Sequence, residues 1–382
     1  MPRPRIKTAA LWFSALALGL LPAAVQPAAA QTGSGLQGIG DREIQRQEER
    51  ERQRQREITD RSPDVHFQTP SEEDPAAYPP DESPCFTIRE IRLTGDSAGQ
   101  FRGHLKAADG AVGLCLGPRG FNAAMTRIQN SLMEAGYVTT RVVAEPQDLT
   151  TGILTLTLIP GRLSALKPAG EKRAAVFLPA AFPVSPGDIL NLRDLEQGLE
   201  NLKRVPTAEA DIQIVPGEND GESEVLVSWS QRRPVRFTLS LDDSGLEATG
   251  RYQGGVTFSL DNAFGFSDLF YFNYNQALKN HAPYGSEGHS FYYSLPWGYW
   301  ELTAGTSDYS YEQKVAGYQT TYSYRGRSRN SKMELSRLLH RDGLSKTSLA
   351  LAGFLNSSRN YVDDTELEIQ RRMMSGWEAA LS

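Results

Sequence analysis

Gly95-Asp96-Ser97-Ala98-Gly99 spells G-x-S-x-G, the strand-to-helix elbow that presents a nucleophilic serine in α/β-hydrolases. A strand-like stretch precedes it and Gln100–Ala107 reads as a helix after it, the context the motif needs. Asp109 and His281 nominally fill the downstream order serine, acid, histidine. The chemistry would be acyl transfer by a base-activated hydroxyl. Such a hydrolase, however, requires a parallel sheet of repeated βαβ units, and nothing after Gly161 has that pattern. The 5 histidines are scattered without metal-ligand spacing. Ser97 therefore reads as a turn residue, and no catalytic residue, metal or cofactor is expected.

Compartment comes from the first residues. Arg3, Arg5 and Lys7 lead into an apolar run from Ala9 to Leu21, followed by small residues ending Ala28-Ala29-Ala30. That layout predicts an export signal over residues 1–30, with Gln31 the first mature residue. The run is too short for a membrane helix, and no run of about eighteen apolar residues follows it. In an oxidising compartment the 2 cysteines, Cys85 and Cys115, read as a disulfide, with a reactive thiol as the alternative. A net charge of −6 gives no sign of a nucleic-acid partner.

Residues 31–83 have the composition of a tether. Asp41–Ile58 combines strong helix formers with mixed charges and almost nothing apolar, so such a helix must lie in water, in a coiled assembly or in a wet cavity. Thr59–Pro84 carries Pro63, Pro70, Pro75, Pro79, Pro80 and Pro84 and reads as an extended linker. Two small modules follow. In the first, Phe121, Met125, Ile128 and Leu132 line one helix face that Gly136 ends, and Tyr137–Val143 and Gly152–Ile159 read as strands. In the second, Asn191 caps a helix bearing Leu192, Leu195, Leu199 and Leu202, and strands follow near Ala208–Val215 and Ser223–Trp229.

From Val235 onward the apolar residues fall on every second position, first Val235, Phe237, Leu239 and Leu241, with Tyr252, Gly254, Val256, Phe258 and Leu260 forming the next run. Further runs lie near Asp268–Ala277, Gly288–Leu295, Tyr299–Asp308, Gln319–Arg327, Lys332–Leu339 and Lys346–Asn356. Runs of about ten residues suit tilted strands that cross a bilayer, and Tyr292, Tyr293, Trp297, Tyr299 and Trp300 read as an interfacial girdle. Periodicity alone equally allows a soluble β-sandwich.

Ordered motifs decide between these. Pro84-Cys85-Phe86-Thr87-Ile88, Gly113-Leu114-Cys115-Leu116-Gly117, Ala135–Val142, Gln147-Asp148-Leu149 and Ile159-Pro160-Gly161-Arg162 resemble the first POTRA domain of two-partner secretion transporters, the ShlB/FhaC/HecB haemolysin secretion/activation proteins. Leu190–Leu202 resembles the second POTRA helix, Asp242–Gly255 and Asp261–Asp268 resemble opening barrel hairpins, and Arg371-Arg372 with Gly376-Trp377-Glu378 resembles a mid-barrel strand.

The resemblance implies an α+β pair of POTRA domains followed by an antiparallel transmembrane β-barrel. The expected divisions are 1–30 signal peptide, 31–83 polar plug helix and linker, 84–162 first POTRA, 163–231 second POTRA and 232–382 the first part of the barrel. Family barrels have sixteen strands, a lumen loop motif and an inner-wall motif. Eight or nine strands are legible here, so the expectation is a fragment or a truncated product, with no barrel motif residues to carry over.

Implied in turn are residence in the outer membrane of a Gram-negative bacterium, POTRA domains in the periplasm, and insertion by the barrel-assembly machinery among outer-membrane lipid. The implied activity is export, without enzymatic chemistry, of a large partner exoprotein bearing an N-terminal secretion domain. A haemolysin, an adhesin and a contact-dependent toxin all fit. An outer-membrane assembly factor of the same superfamily is the alternative, and a plain porin leaves the POTRA modules unexplained. Strand addition along Tyr137–Val143 is the expected grip on the partner, with Tyr137, Thr139, Arg141 and Val143 as its residues.

Overall fold

The computed structural model describes residues 31–59, 64–68, 77–79, 82–170, 175–278 and 284–382, with helix side chains described from Arg42 to Glu57. The predicted signal peptide, His281 and most of the proline-rich linker lie outside the described residues. Helix α1 covers Gln31–Thr59, so it starts ten residues before the stretch that composition marked.

In the first module β1 (Phe86–Thr87), β2 (Glu90–Gly95), a short helix α2 (Ala98–Phe101) and a 3-10 segment Arg102–Ala111 lead to β3 (Cys115–Leu116) and α3 (Pro118–Glu134). Strands β4 (Arg141–Val143) and β5 (Ile153–Ile159) close it in the sheet order β2-β5-β4. Ala124, Ile128 and Leu132 of α3 bury their side chains against Leu154, Leu156 and Leu158 of β5. Helix α3 has no cap of its own. Glu82, from the linker, takes the N–H groups of Gly117, Arg119 and Gly120 at 2.8, 2.9 and 2.8 Å, satisfying donors the helix leaves open.

The second module contains β6 (Arg162–Pro168), α4 (Leu178–Ala181), α5 (Leu192–Lys203), β7 (Ala208–Pro216) and β8 (Glu222–Gln231), in the order β6-β8-β7. The Asn191 side chain accepts from Arg193 N–H at 2.8 Å, and Leu192, Leu195, Leu199 and Leu202 form the buried face. Strand β6 and helix α4 escaped the sequence reading, being too short and irregular to show a period. The modules are joined at Gly136, whose φ of +95° suits glycine and whose carbonyl accepts from Leu192 N–H at 2.9 Å.

The remainder is one antiparallel sheet. Its strands are β9 (Val235–Asp242), β10 (Gln253–Asp261), β11 (Leu269–Ala277), β12 (Gly285–Trp297), β13 (Trp300–Ala316), β14 (Thr321–Arg341), β15 (Lys346–Val362), β16 (Thr365–Glu366) and β17 (Arg372–Leu381). The order runs β16-β15-β14-β13-β12-β11-β10-β9, with β17 also pairing β15, and among the described residues the sheet does not close. The two runs read at Gln319–Arg327 and Lys332–Leu339 are one strand, β14, continuous for 21 residues.

Burial in this sheet is the inverse of a soluble sandwich. Phe237, Leu239 and Leu241 are exposed, Leu239 at 79%, as are Met333, Leu335, Leu349, Leu351 and Trp377. Gln253, Thr257, Ser259, Asp261, Asn273, Asn275, Ser286, Ser290 and Ser294 are buried on the other face. Only a wall with an apolar exterior and a polar interior has this arrangement, which is that of a transmembrane barrel. The aromatic girdle needs correction. Tyr293, Trp297 and Trp300 point outward with the apolar set, but Tyr292 is buried on the inner face and Tyr299 sits in the turn beside α5.

Candidate functional site

Helix α1 lies along the inner face of this wall, held by polar contacts at helical spacing. Glu43 accepts from Thr249 Oγ1 at 3.1 Å and from the Tyr309 hydroxyl. Gln47 Nε2 donates to Asn275 Oδ1 at 3.3 Å, Arg50 donates to Ser244 Oγ at 3.2 Å, and Glu51 accepts from the Tyr271 hydroxyl at 3.2 Å. Asn330 Nδ2 reaches Glu48 Oε1 at 3.2 Å. Residues 43, 47, 50 and 51 share one face, and their partners come from β11, β13 and the loop between β9 and β10. One apolar residue joins them: Ile44 packs on the buried Tyr309, Tyr311 and Tyr324. A helix with no apolar stripe is thus seated by hydrogen bonds on a wall of hydroxyls and amides, a contact that releases far less readily into lipid than into water.

The chain leaving α1 is clamped where the second module meets the wall. Val65 N–H donates to Glu200 Oε1 and Phe67 N–H to Glu196 Oε1, each at 2.8 Å. Arg341, its side chain 2% exposed, donates to the Val65 carbonyl at 2.5 Å, to Glu196 at 3.1 Å and to both oxygens of Glu200 at 2.9 Å. Lys346 bridges Glu200 and Asp64 at 2.7 and 2.5 Å. Burial pushes the Glu200 carboxyl up, but Arg341, Lys346 and the Val65 N–H outweigh it and hold that carboxyl below its ordinary range. A register shift between Leu338 and His340 takes Arg341 off the outward-facing series of β14 and into this junction.

The same junction ties the second module to three short turns. Phe177 N–H donates to the Gly265 carbonyl and Gly298 N–H to the Ala180 carbonyl, both at 2.7 Å. Asn201 reaches the Gly298 carbonyl at 2.8 Å, Arg204 pairs with Glu301, and Tyr299 donates to Asp194. Burial pushes the Asp194 carboxyl up to about 6, against the lowering effect of the Tyr299 hydroxyl.

The residues singled out from sequence fall as follows. Cys85 and Cys115 are bonded, with Cα atoms 5.3 Å apart, and they join the start of β1 to β3. The strand expected over Tyr137–Val143 is only Arg141–Val143, so Tyr137 and Thr139 are corrected to turn positions. Tyr137 packs edge-on against Phe101, and Thr139 lies against Gly161 at the module junction. Strand β4 is an edge, pairing β5 alone. Its outward groups are engaged already, since Gln129 accepts from Val142 N–H at 3.1 Å and donates to the Thr140 carbonyl at 2.8 Å. Ser97 takes the left-handed conformation with φ 60° and donates to its neighbour Asp96, which pairs with Arg162. Among the described residues no group of three metal-ligating side chains occurs.

Sequence reasoning missed Arg341, Glu196 and Glu200. Charged residues on the solvent-looking side of an amphipathic helix carry no periodic signal, and Arg341 is distant in sequence.

A POTRA pair docked on the turns of an antiparallel wall with a polar interior defines an outer-membrane protein of the POTRA-barrel class. Comparison with known proteins narrows it. Residues 86–161 match the ShlB-type POTRA family model, residues 163–216 a second POTRA model, and residues 221–382 the haemolysin secretion/activation protein ShlB/FhaC/HecB model. The outer membrane transporter CdiB-2 of Burkholderia pseudomallei (strain 1026b) is 35% identical over 315 residues, 78% of this chain and 53% of that protein. The hemolysin transporter protein ShlB of Serratia marcescens is 26% identical over 293 residues, 76% of this chain and 51% of that protein. The solved structure of CdiB from Acinetobacter baumannii superposes with a TM-score of 0.79 at 30% identity, covering 91% of this chain and 67% of that one. The chain belongs to the ShlB/FhaC/HecB family and to the bacterial outer membrane, with its POTRA domains on the periplasmic side. It spans about half the length of the curated relatives it matches.

Proposed function

We propose that the protein to which this chain belongs exports a large partner exoprotein through its barrel. The POTRA pair captures the partner's secretion domain while it is unfolded, and α1 plugs the lumen until export begins. The observation that carries this reading is the seat of α1: a polar helix, bound by side-chain hydrogen bonds to a polar inner wall and tethered by Val65 and Phe67 at the periplasmic junction. A plug of that kind suits a conduit that opens on demand, whereas a porin has no use for the POTRA modules. The partner is a haemolysin, an adhesin or a contact-dependent toxin, and the relative named as a hemolysin transporter supports the first of these.

For the grip on the partner we take β4, one of the two sheet edges of the first module, where an added strand would displace Gln129 from Val142 and Thr140. Deleting the gene tests the reading as a whole. Loss of one large exoprotein from the culture medium, with the outer-membrane protein profile intact, is expected. Broad depletion of outer-membrane proteins would instead establish an assembly factor.

A further inference from the structure

On the outward face, the apolar band gives way to arginines. β14 points Arg337, Leu335 and Met333 outward towards the POTRA end, and Arg329 and Arg327 outward further along. Arg337 lies over the Trp300 ring, 4.9 Å from its centroid, and Trp300 pairs with Trp297 across the sheet. These aromatics mark the near membrane boundary. A strand rising about 3.3 Å per residue and tilted by about 45° gains roughly 23 Å over ten residues, against an apolar band about 25 Å tall. Arg327, ten residues from Arg337, therefore stands at the far boundary, level with the headgroups of the outer leaflet.

Arg359 of β15 stands directly opposite Arg327 in the register, and like charges so placed repel. Asp308 of β13 accepts from Arg327 through Nε and Nη2 at 2.9 Å, and from Arg329 through the same atoms at 2.9 and 2.7 Å. Both guanidiniums remain more than half exposed. Glu287, another carboxylate on this face, accepts from Ser310 Oγ at 3.4 Å. Among the described residues Arg359 makes no direct ion pair, and the nearby carboxylate, Glu366, is bonded to Arg371 at 2.7 Å. Two guanidiniums thus share one buried carboxylate, which aims them, while the carboxylate near Arg359 is already paired, so the cluster of Arg327, Arg329 and Arg359 keeps positive charge where lipid phosphates lie.

We propose that Arg327, Arg329 and Arg359 form a binding site for the phosphate groups of a phosphorylated glycolipid in the outer leaflet. The planar guanidinium fork matches phosphate oxygens, and bound phosphate relieves the repulsion between Arg327 and Arg359. The site rests on the outer-membrane reading of the sheet, and it would fix the height of the barrel while its lumen empties and fills.

The test uses the full-length protein in detergent, titrated with bisphosphorylated lipid A and with its dephosphorylated form, bound lipid being read by native mass spectrometry. The natural protein should hold the phosphorylated lipid at least ten-fold more tightly than the dephosphorylated one. The double variant Arg327→Gln/Arg359→Gln should lose that preference, and Arg327→Lys/Arg359→Lys should keep part of it. Heat-modifiable electrophoretic migration confirms a folded barrel in each case. Equal binding by a folded double Gln variant overturns the site, as does equal retention of both lipids. Saturation by inorganic phosphate as tight as by lipid A shows a free-anion site and overturns the lipid assignment. A natural protein that never shows heat-modifiable migration sinks the barrel reading itself, and the site with it.

Discussion

Arg341 at the end of β14 and Glu200 on α5 form a two-pronged pair, with Nη1 and Nη2 each 2.9 Å from a different carboxylate oxygen. One buried guanidinium thereby joins the barrel wall, the second POTRA helix and the linker that follows α1. Arg341→Ala leaves Glu200 to Lys346 and Glu196 to Arg193, so the loss stays below the cost of breaking an isolated buried pair, about 3–5 kcal/mol. The expected outcome is cleavage of the linker near Val65 by added protease, together with a lowered melting temperature of the POTRA–barrel junction. Arg341→Lys keeps the charge but not the fork, so it should fall between the two. A melting curve and cleavage pattern identical to those of the natural protein would show that the clamp holds nothing.

The clamp also shows what was legible in the sequence. Val235–Leu241 announced an outward face by strict alternation, because a period of two survives in any strand with unlike faces. The face of α1 that meets the wall was invisible to the same method. Its contact residues, Glu43, Gln47, Arg50 and Glu51, do recur at helical spacing, but they are polar, and the search for a period looks for apolar residues. Tyr292 was misread for a related reason: aromatic type suggested a membrane girdle, whereas its register position places it inside, stacked 5.1 Å from Tyr271. The inner wall of this barrel is partly built of tyrosine, which serves as both surface and hydrogen-bond donor. Strand β4 was drawn too long because Tyr137 and Val138 are good strand formers that the module junction holds in a turn.

Asp194 makes the junction sensitive to pH. Its carboxyl is raised to about 6, chiefly by burial, from an ordinary value near 4. A raised acid favours the folded state while protonated, so its contribution is fully present below about pH 4 and is lost as pH rises through 6. Two units correspond to roughly 2–3 kcal/mol at most. Asp194→Asn keeps a partner for the Tyr299 hydroxyl without the charge. That variant should melt higher than the natural protein at pH 7.5 and approach it at pH 4, as followed by thermal denaturation across that range. A constant difference between the two proteins at every pH would remove Asp194 as the cause.

The bond between Cys85 and Cys115 closes a loop of 30 residues, which on the chain-entropy model contributes about 3–4 kcal/mol to the first POTRA domain. Peptide mass spectrometry without reduction should find the two half-cystines in one cross-linked species. Reduction, or replacement of both by serine, should lower the melting temperature of that domain and leave the barrel unaffected. Two freely alkylated thiols in protein taken from the cell envelope would refute the pairing.

Strand addition on the first POTRA domain is best probed at Val142, because its N–H points away from β5 to Gln129, whereas alternation turns the N–H groups of Arg141 and Val143 towards β5. Val142→Pro removes the outward donor at an edge position, where proline is tolerated. Export of the partner should fall by an order of magnitude or more while barrel assembly continues. Gln129→Ala, which leaves the same groups open, should not reduce export. Normal export by a folded Val142→Pro protein would place the grip elsewhere.

At 1.5 Å per residue the 29 residues of α1 extend about 43 Å, longer than the hydrocarbon layer the barrel spans. The described contacts run from Glu43 near the loop between β9 and β10 to Glu51 on β11, about 12 Å of helix, so the proposed plug is held over a stretch of wall rather than at one point. Apart from Ile44 on the inner tyrosines, its hold is polar. Each hydrogen bond to the wall can be exchanged for one to water at a net cost of about 1 kcal/mol, so the plug is removable without unfolding anything apolar. Deleting residues 33–58 from the full-length protein should therefore raise single-channel conductance in planar bilayers and leave heat-modifiable migration unchanged. Glu43→Ala, which releases Thr249 and Tyr309 together, should act more mildly, by increasing the frequency of brief openings without changing their size. Because the clamp at Val65 lies only six residues beyond Thr59, combining Glu43→Ala with Arg341→Ala should open the channel more than the sum of the two. Conductance that stays unchanged in the deletion, with the shortened mass confirmed, would show that the helix does not occupy the pore.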